Sequence, residues 1–408
     1  MTAAPTMKLS LNLSGVGRHA GAWRDEVSRP GDVVDVEHYV RVARLAEEGR
    51  FDSVFVADSP VLGSDPTVPP LRFEPLTLLA AVAARTERIG VIATVSSSYN
   101  DAETVARRVL SIDRISGGRA ALNVVASAGA GPARNFGLAD RLGHDDRYAL
   151  AEDFLTGLRR VWHQLGAAGR EPLIVQAGSS EAGRALAGRH ADVVYAGGVR
   201  AHDSLELATD VAERARQAGR TGPGPLVLPG VIPFVADTDP EALELEAHLD
   251  ALHAPPEDAI ERLGGIVGAD LSGVDPDGPL PVADLPDELD HAAGASLATL
   301  ARRLSTELRL SVRQIAGRLH AGAFGNIQTR LVGSADTVAE TLARWFREGV
   351  PGFNLLLPRQ PADLEYFVAE VIPRLRRLGV HRTSYETTTL AGHLGLARQT
   401  LPERTPHA

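Results

Sequence analysis

The sequence contains no cysteine. Disulfides, thiolate metal sites and cysteine nucleophiles are therefore excluded. No apolar run reaches the roughly 18 residues of a membrane span. The amino-terminal stretch MTAAPTMKLSLNLSG has one lysine and no long apolar region, which argues against a secretory signal. Positive charge is in deficit: 42 Lys and Arg face 52 Asp and Glu, for a net charge of −10. That disfavours a nucleic acid or an anionic membrane as the main partner, and a cytoplasmic location is expected. No Walker loop, zinc motif or Ser-His-Asp set is visible, and no metal site is assigned. No GxGxxG follows the first strand-like run, which counts against a dinucleotide-binding open sheet.

What is present is the composition of a soluble, enzyme-sized globular protein: 408 residues, 44% hydrophobic and 23% charged. The stretch from Arg88 to Tyr148 organises the reading. It holds a strand-like run (Arg88 to Val95), a polar tip (Ser96 to Asn100), a helical segment (Ala102 to Ile115), the turn Ser116-Gly117-Gly118 and a second strand-like run (Arg119 to Val125). That is one βαβ unit. The same alternation runs along most of the chain. Strands are expected at Met7, Asp52, Arg88, Arg119, Pro172, Asp192, Leu226 and Gly352, the seventh interrupted by Pro229 and Pro233. Eight βα units argue for a TIM-like (β/α)8 barrel, with a doubly wound open sheet as the alternative. Residues 254–326 break the rhythm. They read as an insertion opening with Pro- and Gly-rich loops and continuing with helices near Ser296 to Leu308 and Ser311 to Leu319. The alternation then resumes with helices at Ser334 to Glu348 and Ala362 to Leu378. Residues 379–408 read as a wrapping or partly disordered tail. The whole, 1–408, is taken as a single domain.

In barrels and open α/β sheets, ligands sit beyond the carboxyl ends of the strands. Thr94 to Ser98 and Asn123 to Ser127 are therefore candidate site segments. Asp58 closes the second strand; it orients a ligand or simply caps a loop. Gln176 to Glu181 joins a strand to a helix start. Its glycine, amides and the hydroxyls of Ser179 and Ser180 suit a phosphate, while the plain reading is an N-cap serine. His144 and Tyr148, four residues apart at a helix entry, share one face. Either they hold a ligand's polar edge, or Asp145 or Asp146 is just the helix cap. Arg134 to Gly137 lines a pocket or folds its loop back. His19 and His320 stand isolated in sequence. No strong acid–base pair stands out, so no catalytic residue is assigned.

Taken together, these pieces resemble the bacterial-luciferase-like flavin monooxygenases. The branch is that of nitrilotriacetate, dibenzothiophene-sulfone and long-chain alkane monooxygenases. The resemblance is carried in order by Trp23-Arg24, FDSVFVAD ending at Asp58, EPLTLLAAVAARTERIG, ATVSSSYNDAETVARR, SIDRISGGRAALNVV, ARNFG and HDDRY. It continues through PLIVQAGSSEAGRALAGRHADVVY, LVGSADTVAETLARW, GFNLLLP and VIPRLRRLGVHRTSYETTTLAGHLGL. It implies a TIM-like barrel binding FMN, taken up in reduced form (FMNH2) from a separate NAD(P)H:flavin reductase, and a small organic substrate oxidised with O2. That is an oxidoreductase acting on paired donors with incorporation of oxygen, usually a homodimer or homotetramer. It also implies that Asp58, Thr94, His144 and Tyr148 contact the flavin or its phosphate. Ser179 and Ser180 would then lie at the phosphate, and Asn123 and Ser127 would line the pocket. Three features depart from the pattern: Ala126-Ser127 replaces Thr-Ser, Ser96-Ser97-Ser98-Tyr99 replaces STTY, and Trp162 to Pro172 is short where relatives carry a long excursion. The last predicts a more open pocket. Two other readings remain: a deazaflavin-dependent hydride-transfer enzyme of the same superfamily, and a flavin-binding protein without turnover.

Overall fold

The computed structural model describes residues 5–61, 72–127, 130–137, 143–178, 180–197, 200, 202–253, 256–286, 292–320 and 328–396. Among these residues nine strands form one sheet: β1 (Lys8–Asn12), β2 (Ser53–Val56), β3 (Gly90–Ser96), β4 (Ala120–Val125), β5 (Leu173–Gln176), β6 (Val193–Ala196), β7 (Leu226–Ala236), β8 (Thr329–Ser334) and β9 (Gly352–Leu355). Every pairing is parallel. β1 to β7 are neighbours in chain order, and β9 pairs with both β7 and β1. Those eight strands close a barrel, as the alternation predicts, and the open sheet is set aside.

The remaining strand, β8, departs from the expectation. It pairs with the second half of β7, Val231 to Ala236, after β7 has left β6 at Pro229. Its burial alternates, and Arg330 interrupts its apolar run. Gly333-Ser334 reads as a turn in sequence, and Ser334 does cap the following helix, accepting from Thr337 N at 3.3 Å. β7 itself runs unbroken for 11 residues. Pro229 and Pro233 lie four apart, so both missing donors fall on one side of the strand, and the strand changes partner between them.

Local signals set the helix boundaries. Asp35 caps the helix Val36–Glu48, Glu74 caps Pro75–Ala83, and Asp101 caps Ala102–Ser116, which ends at Gly117 with φ of +70°. The expected helix from Ala362 to Leu378 is broken into Ala362–Tyr366, a π turn over Phe367–Val371 and Ile372–Arg377. Pro373 lacks an N–H and clashes with the carbonyl four residues back, which displaces the regular ladder there.

Even-numbered residues of β1 point inward and odd-numbered ones pack against the helices. Leu9 and Leu11 belong to the large outer cluster with Val54, Val91, Leu122 and Phe353. The barrel interior is a smaller cluster of Phe55, Ile92, Ala121, Leu173, Val175, Val193, Tyr195 and Leu228. Leu390 and Leu394, on the short helix Leu390–Leu394, complete it. That helix sits at the amino ends of the strands, since a Cβ on Gly90 would strike Leu390 at 2.5 Å. The described part of the tail, to residue 396, plugs the barrel floor with this helix; residues 397–408 lie outside the described residues.

Among the described residues the insertion holds three α-helices, Pro256–Val267, Ala292–Thr306 and Val312–His320. The first replaces the loop expected there. Pro256 stands at its first position, which suits proline, and Ala259, Leu263 and Val267 bury one face at a spacing of four. The insertion has its own apolar cluster, which includes Leu271, Leu300, Leu304, Val312 and Ile315.

Candidate functional site

Closing the amino end with Leu390 and Leu394 leaves the carboxyl ends of the strands as the open end of the barrel. Thr94 on β3 and Asn123 on β4 are register partners there. Both are buried, and Asn123 Nδ2 donates to Thr94 Oγ1 at 3.0 Å. Among the described residues, Asn123 Oδ1, Gln176 Oε1, Ser96 Oγ and Ser98 Oγ are buried without a hydrogen-bond partner. A buried polar atom left unsatisfied costs about 1–3 kcal/mol. Four of them at the ends of β3, β4 and β5 mark a place where groups other than the described residues supply the partners.

A second group lies over β5. Ser180 caps the helix Glu181–His190, accepting from Gly183 N at 3.2 Å. Tyr148, from the helix His144–Gln164, places its hydroxyl 3.1 Å from Ser180 Oγ. Gly178 and Gly183 keep this corner open. A Cβ on Gly183 would lie 3.1 Å from the Tyr148 hydroxyl and 3.2 Å from Ser180 Oγ, and one on Gly178 would lie 3.4 Å from the Gly183 Cα. The result is a cradle of two hydroxyls at a helix N-terminus, whose backbone N–H groups favour an anion. Arg147 fixes the Tyr148 helix to the loop after β4 by donating to Ala126 O at 2.8 Å.

The structure thus brings Tyr148 to Ser180, and Thr94 to Asn123. Ser127 lies two residues beyond the end of β4, half-buried. Asp58 lies two residues beyond β2, also half-buried. Burial pushes its carboxyl above the ordinary range, against the lowering effects of the Ser59 N–H and of Arg72. His144 opens its helix, but its side chain and the whole of Ser179 lie outside the described residues.

Arg134 to Gly137 resolves toward folding its loop back. Asn135 Nδ2 donates to Pro60 O at 2.8 Å, and Phe136 stacks on Tyr99 with ring centroids 4.7 Å apart. The loops after β2, β3 and β4 are joined in this way at the rim. Helix His144–Gln164 reaches β5 through a short turn, consistent with the brief Trp162 to Pro172 segment.

His19, isolated in sequence, is not isolated in space. Its Nδ1 accepts from Gly21 N at 3.1 Å, so Nε2 carries the proton and donates to Asp250 Oδ1 at 3.0 Å. Asp250 also accepts from both guanidinium nitrogens of Arg330, at 2.9 and 3.1 Å. Burial alone would raise the Asp250 carboxyl; His19 and Arg330 outweigh it and hold the group well below the carboxylate range. This is a packing network linking the loop after β1, helix Asp239–His253 and β8, and it uses both ring nitrogens of His19. The side chain of His320 lies outside the described residues.

Sequence reasoning missed Asn12 and Asn354 as site candidates, and took Gln176 only as the start of the Gln176 to Glu181 segment, not for its side chain. Each is buried, and each is an amide set in an otherwise apolar strand run: LIVQ, LNL and GFNLLL. That pattern is the signal that could have found them, because an amide in a buried strand needs partners. Among the described residues no group of three metal-ligating side chains occurs, and no helix is long and apolar enough to cross a membrane.

Comparison with known proteins gives a consistent result. The family model for luciferase-like monooxygenases matches residues 11–351. Nitrilotriacetate monooxygenase component A of Aminobacter aminovorans is 35% identical, over 98% of this chain and 98% of its own. N-acetyl-S-(2-succino)cysteine monooxygenase of Bacillus subtilis is 31% identical, over 96% of this chain and 97% of its own. The solved structure of EDTA monooxygenase from Chelativorans sp. BNC1 is 30% identical with a TM-score of 0.80, covering 96% of this chain and 99% of that one.

Proposed function

The chain belongs to the luciferase-like monooxygenase family, whose members are flavin-dependent, and from that premise we propose that it is the oxygenating component of a two-component system. It binds FMN in the reduced form, FMNH2, delivered by a separate NAD(P)H:flavin reductase, and oxidises a small organic substrate with O2. Reduced flavin, when bound, supplies the two electrons that let one atom of O2 enter the substrate and the other leave as water.

The observation that carries this reading is the Tyr148–Ser180–Gly183 cradle. It fits a phosphate in donor chemistry and in the space its glycines leave. Ser180 and Tyr148 would hold the phosphate by hydroxyl donation, with Ser179 beside them. Thr94 and Asn123 would hold the polar edge of the flavin ring, since Asn123 Oδ1 is free to accept. Asp58, Ser127 and His144 would complete the wall. The apolar interior below, sealed by Leu390 and Leu394, keeps water from the lower side of the site. Tyr195 holds that floor together. Its hydroxyl meets Ser10 Oγ at 2.7 Å, and burial keeps it protonated well above its ordinary range. The assembled form is proposed to be a homodimer or homotetramer.

Anaerobic titration with reduced and oxidised FMN, followed by fluorescence, tests the assignment. Reduced FMN is expected to bind more tightly. Ser180→Ala and Tyr148→Phe are each expected to weaken FMN about tenfold, the loss of about one charge-assisted hydrogen bond. Riboflavin, which lacks the phosphate, should not feel either change. Absence of binding by either flavin form would falsify the cofactor assignment and favour the deazaflavin alternative.

A further inference from the structure

We propose that the carboxamides of Asn12, Asn354 and Gln328 seat the polar group of the substrate, and that they select a neutral substrate carrying an N–H or O–H donor, such as a carboxamide. This deepens the monooxygenase reading and rests on it for the place of the flavin.

Strand alternation sets the direction of two of these amides. Leu11 and Leu13 flank Asn12, and Phe353 and Leu355 flank Asn354. All four pack in the outer cluster against the helices, so both asparagines face the barrel interior. β1 and β9 are neighbours, and the register partner of Asn354 is Ser10, two residues before Asn12 on the same face. Asn354 also pairs with Gly230 on β7. Gly230 shares the inward face of Leu228 but has no side chain to fill it. Gln328, which leads into β8, takes that space: a Cβ on Gly230 would lie 2.3 Å from Gln328 Cγ. The three amides therefore come from adjoining stretches of one wall, namely β1, β9 and the chain lying on β7. Asn12 and Asn354 are 2% and 5% exposed. Gln360 pins the backbone at Asn12: its Nε2 donates to Asn12 O at 2.6 Å, and its Oε1 accepts from Ser14 N at 3.2 Å.

The oxygens of this set are left over. Asn12 Oδ1, Asn354 Oδ1 and Gln328 Oε1 are buried and have no hydrogen-bond partner among the described residues. The hydroxyls in the same row satisfy one another instead: Ser10 Oγ meets Tyr195 OH at 2.7 Å and accepts from Ser53 Oγ at 2.9 Å. In the closed ring β9 stands four strands from β4, and β1 stands four strands from β5. The amide wall thus faces Asn123 and Ser180 across the mouth, and a substrate lying against the flavin meets the amides with its far end. The three side chains carry no formal charge. Turned either way, a carboxamide presents one carbonyl and one NH2, and a neutral amide or hydroxyl matches both. A carboxylate offers acceptors only. It would leave the buried oxygens unmet and would lose its hydration with no opposite charge from these groups in return.

The test compares three probes of one shape: benzamide, acetophenone, which has a methyl group in place of the NH2, and benzoate, which carries a charge. Each is titrated anaerobically into the FMN-loaded full chain, reading the flavin absorbance change. Benzamide is expected to bind at least about tenfold tighter than either of the others. Asn12→Leu and Asn354→Leu, which nearly keep the side-chain shape, should each erase most of that preference by weakening benzamide, with acetophenone and FMN unchanged. Gln328→Met should erase part of it. Melting curves of the ligand-free chain separate recognition from packing: leucine in place of an unsatisfied buried amide is expected to leave Tm unchanged or raised. Equal binding of benzamide and acetophenone, tighter binding of benzoate, or no binding of any probe overturns the proposal. So does a preference kept in all three variants, or a failure of all three to fold, which would make the amides part of the core. A parallel loss of FMN affinity gives the amides to the flavin ring and overturns it as well. If the wild-type protein binds no flavin, the cofactor reading fails by itself, and calorimetric titration of the flavin-free chain with the same three probes decides the seat.

Discussion

At the scale of single residues, the site depends on what is small as much as on what is polar. Gly183 lies in the first turn of helix Glu181–His190, where alanine would ordinarily be the better helix former by about 1 kcal/mol. Its missing Cβ is also what lets the Tyr148 and Ser180 hydroxyls meet. Gly183→Ala is therefore expected to leave thermal stability unchanged or slightly raised while weakening FMN by about tenfold, because the tight contact must give way there. A melting curve and a flavin titration on one sample check this; a parallel fall in both would point to a folding defect instead. The serine and tyrosine were visible in sequence as residue types at a helix entry. That they touch was not visible, because 32 residues separate them. Arg119 shows the same limit. In sequence it only starts a strand; in space it is buried and donates to the carbonyls of Ser116, Ile89, Ala83 and Thr86 and to Thr86 Oγ1.

At the scale of elements, the tail is a strap across the barrel floor. Arg382 donates to Asp52 Oδ1 at 2.5 Å, Lys8 Nζ donates to His393 O at 2.9 Å, and Tyr385 OH donates to Phe51 O at 2.6 Å. Two histidines belong to the strap. His381 Nε2 bonds Gly49 O at 2.9 Å and His393 Nε2 bonds Arg88 O at 2.7 Å. Burial holds both imidazoles down to about 4. The unfolded chain takes up those protons near pH 6.5, whereas the folded chain refuses them until about pH 4. Stability is thus full above the unfolded value and falls as pH drops toward 4, by about 2 kcal/mol per histidine between pH 7 and 5. Urea midpoints across that range should show the slope, and His393→Gln should remove about half of it. A flat profile in the wild type would mean that the strap is already open. In sequence the tail reads as wrapping or partly disordered; its role as a plug was not legible, because Leu390 and Leu394 find their partners inside the barrel.

At the scale of the molecule, the insertion has an apolar cluster separate from the barrel's. Ion pairs join the two: Arg303 with Asp203 at 3.0 Å, Arg200 with Glu307 at 3.6 Å, and Arg318 with Glu246 at 3.5 Å. Glu246 also meets Arg330 at 2.8 Å, in the buried network with Asp250 and His19. We propose that barrel and insertion form a single domain coupled through this network, within a dimer or tetramer. Light scattering should give an assembled mass, and calorimetry at low salt should give one unfolding transition. A separate early transition, growing as salt screens the ion pairs, would make the insertion a domain of its own.

Backbone order was legible in the chain alone. Apolar runs, caps such as Asp35 and Asp101, and the turn at Gly117 are short-range signals, and each fixes its element without reference to the rest of the fold. The barrel's eight strands follow from them. β8 escaped because its stability comes from outside itself: Arg330 is tolerated in a strand only where Asp250 and Glu246 receive it. Tertiary structure alone decided which polar groups meet. Asp52 finds Arg382 across 330 positions, and His19 finds Asp250 across 231. Such pairs leave no periodicity, since the requirement to satisfy a buried charge or amide can be met from any distance along the chain. The same reason separates Tyr148 with Ser180 from anything that spacing could show: side-chain chemistry is written locally, but its partners are chosen when the sheet closes.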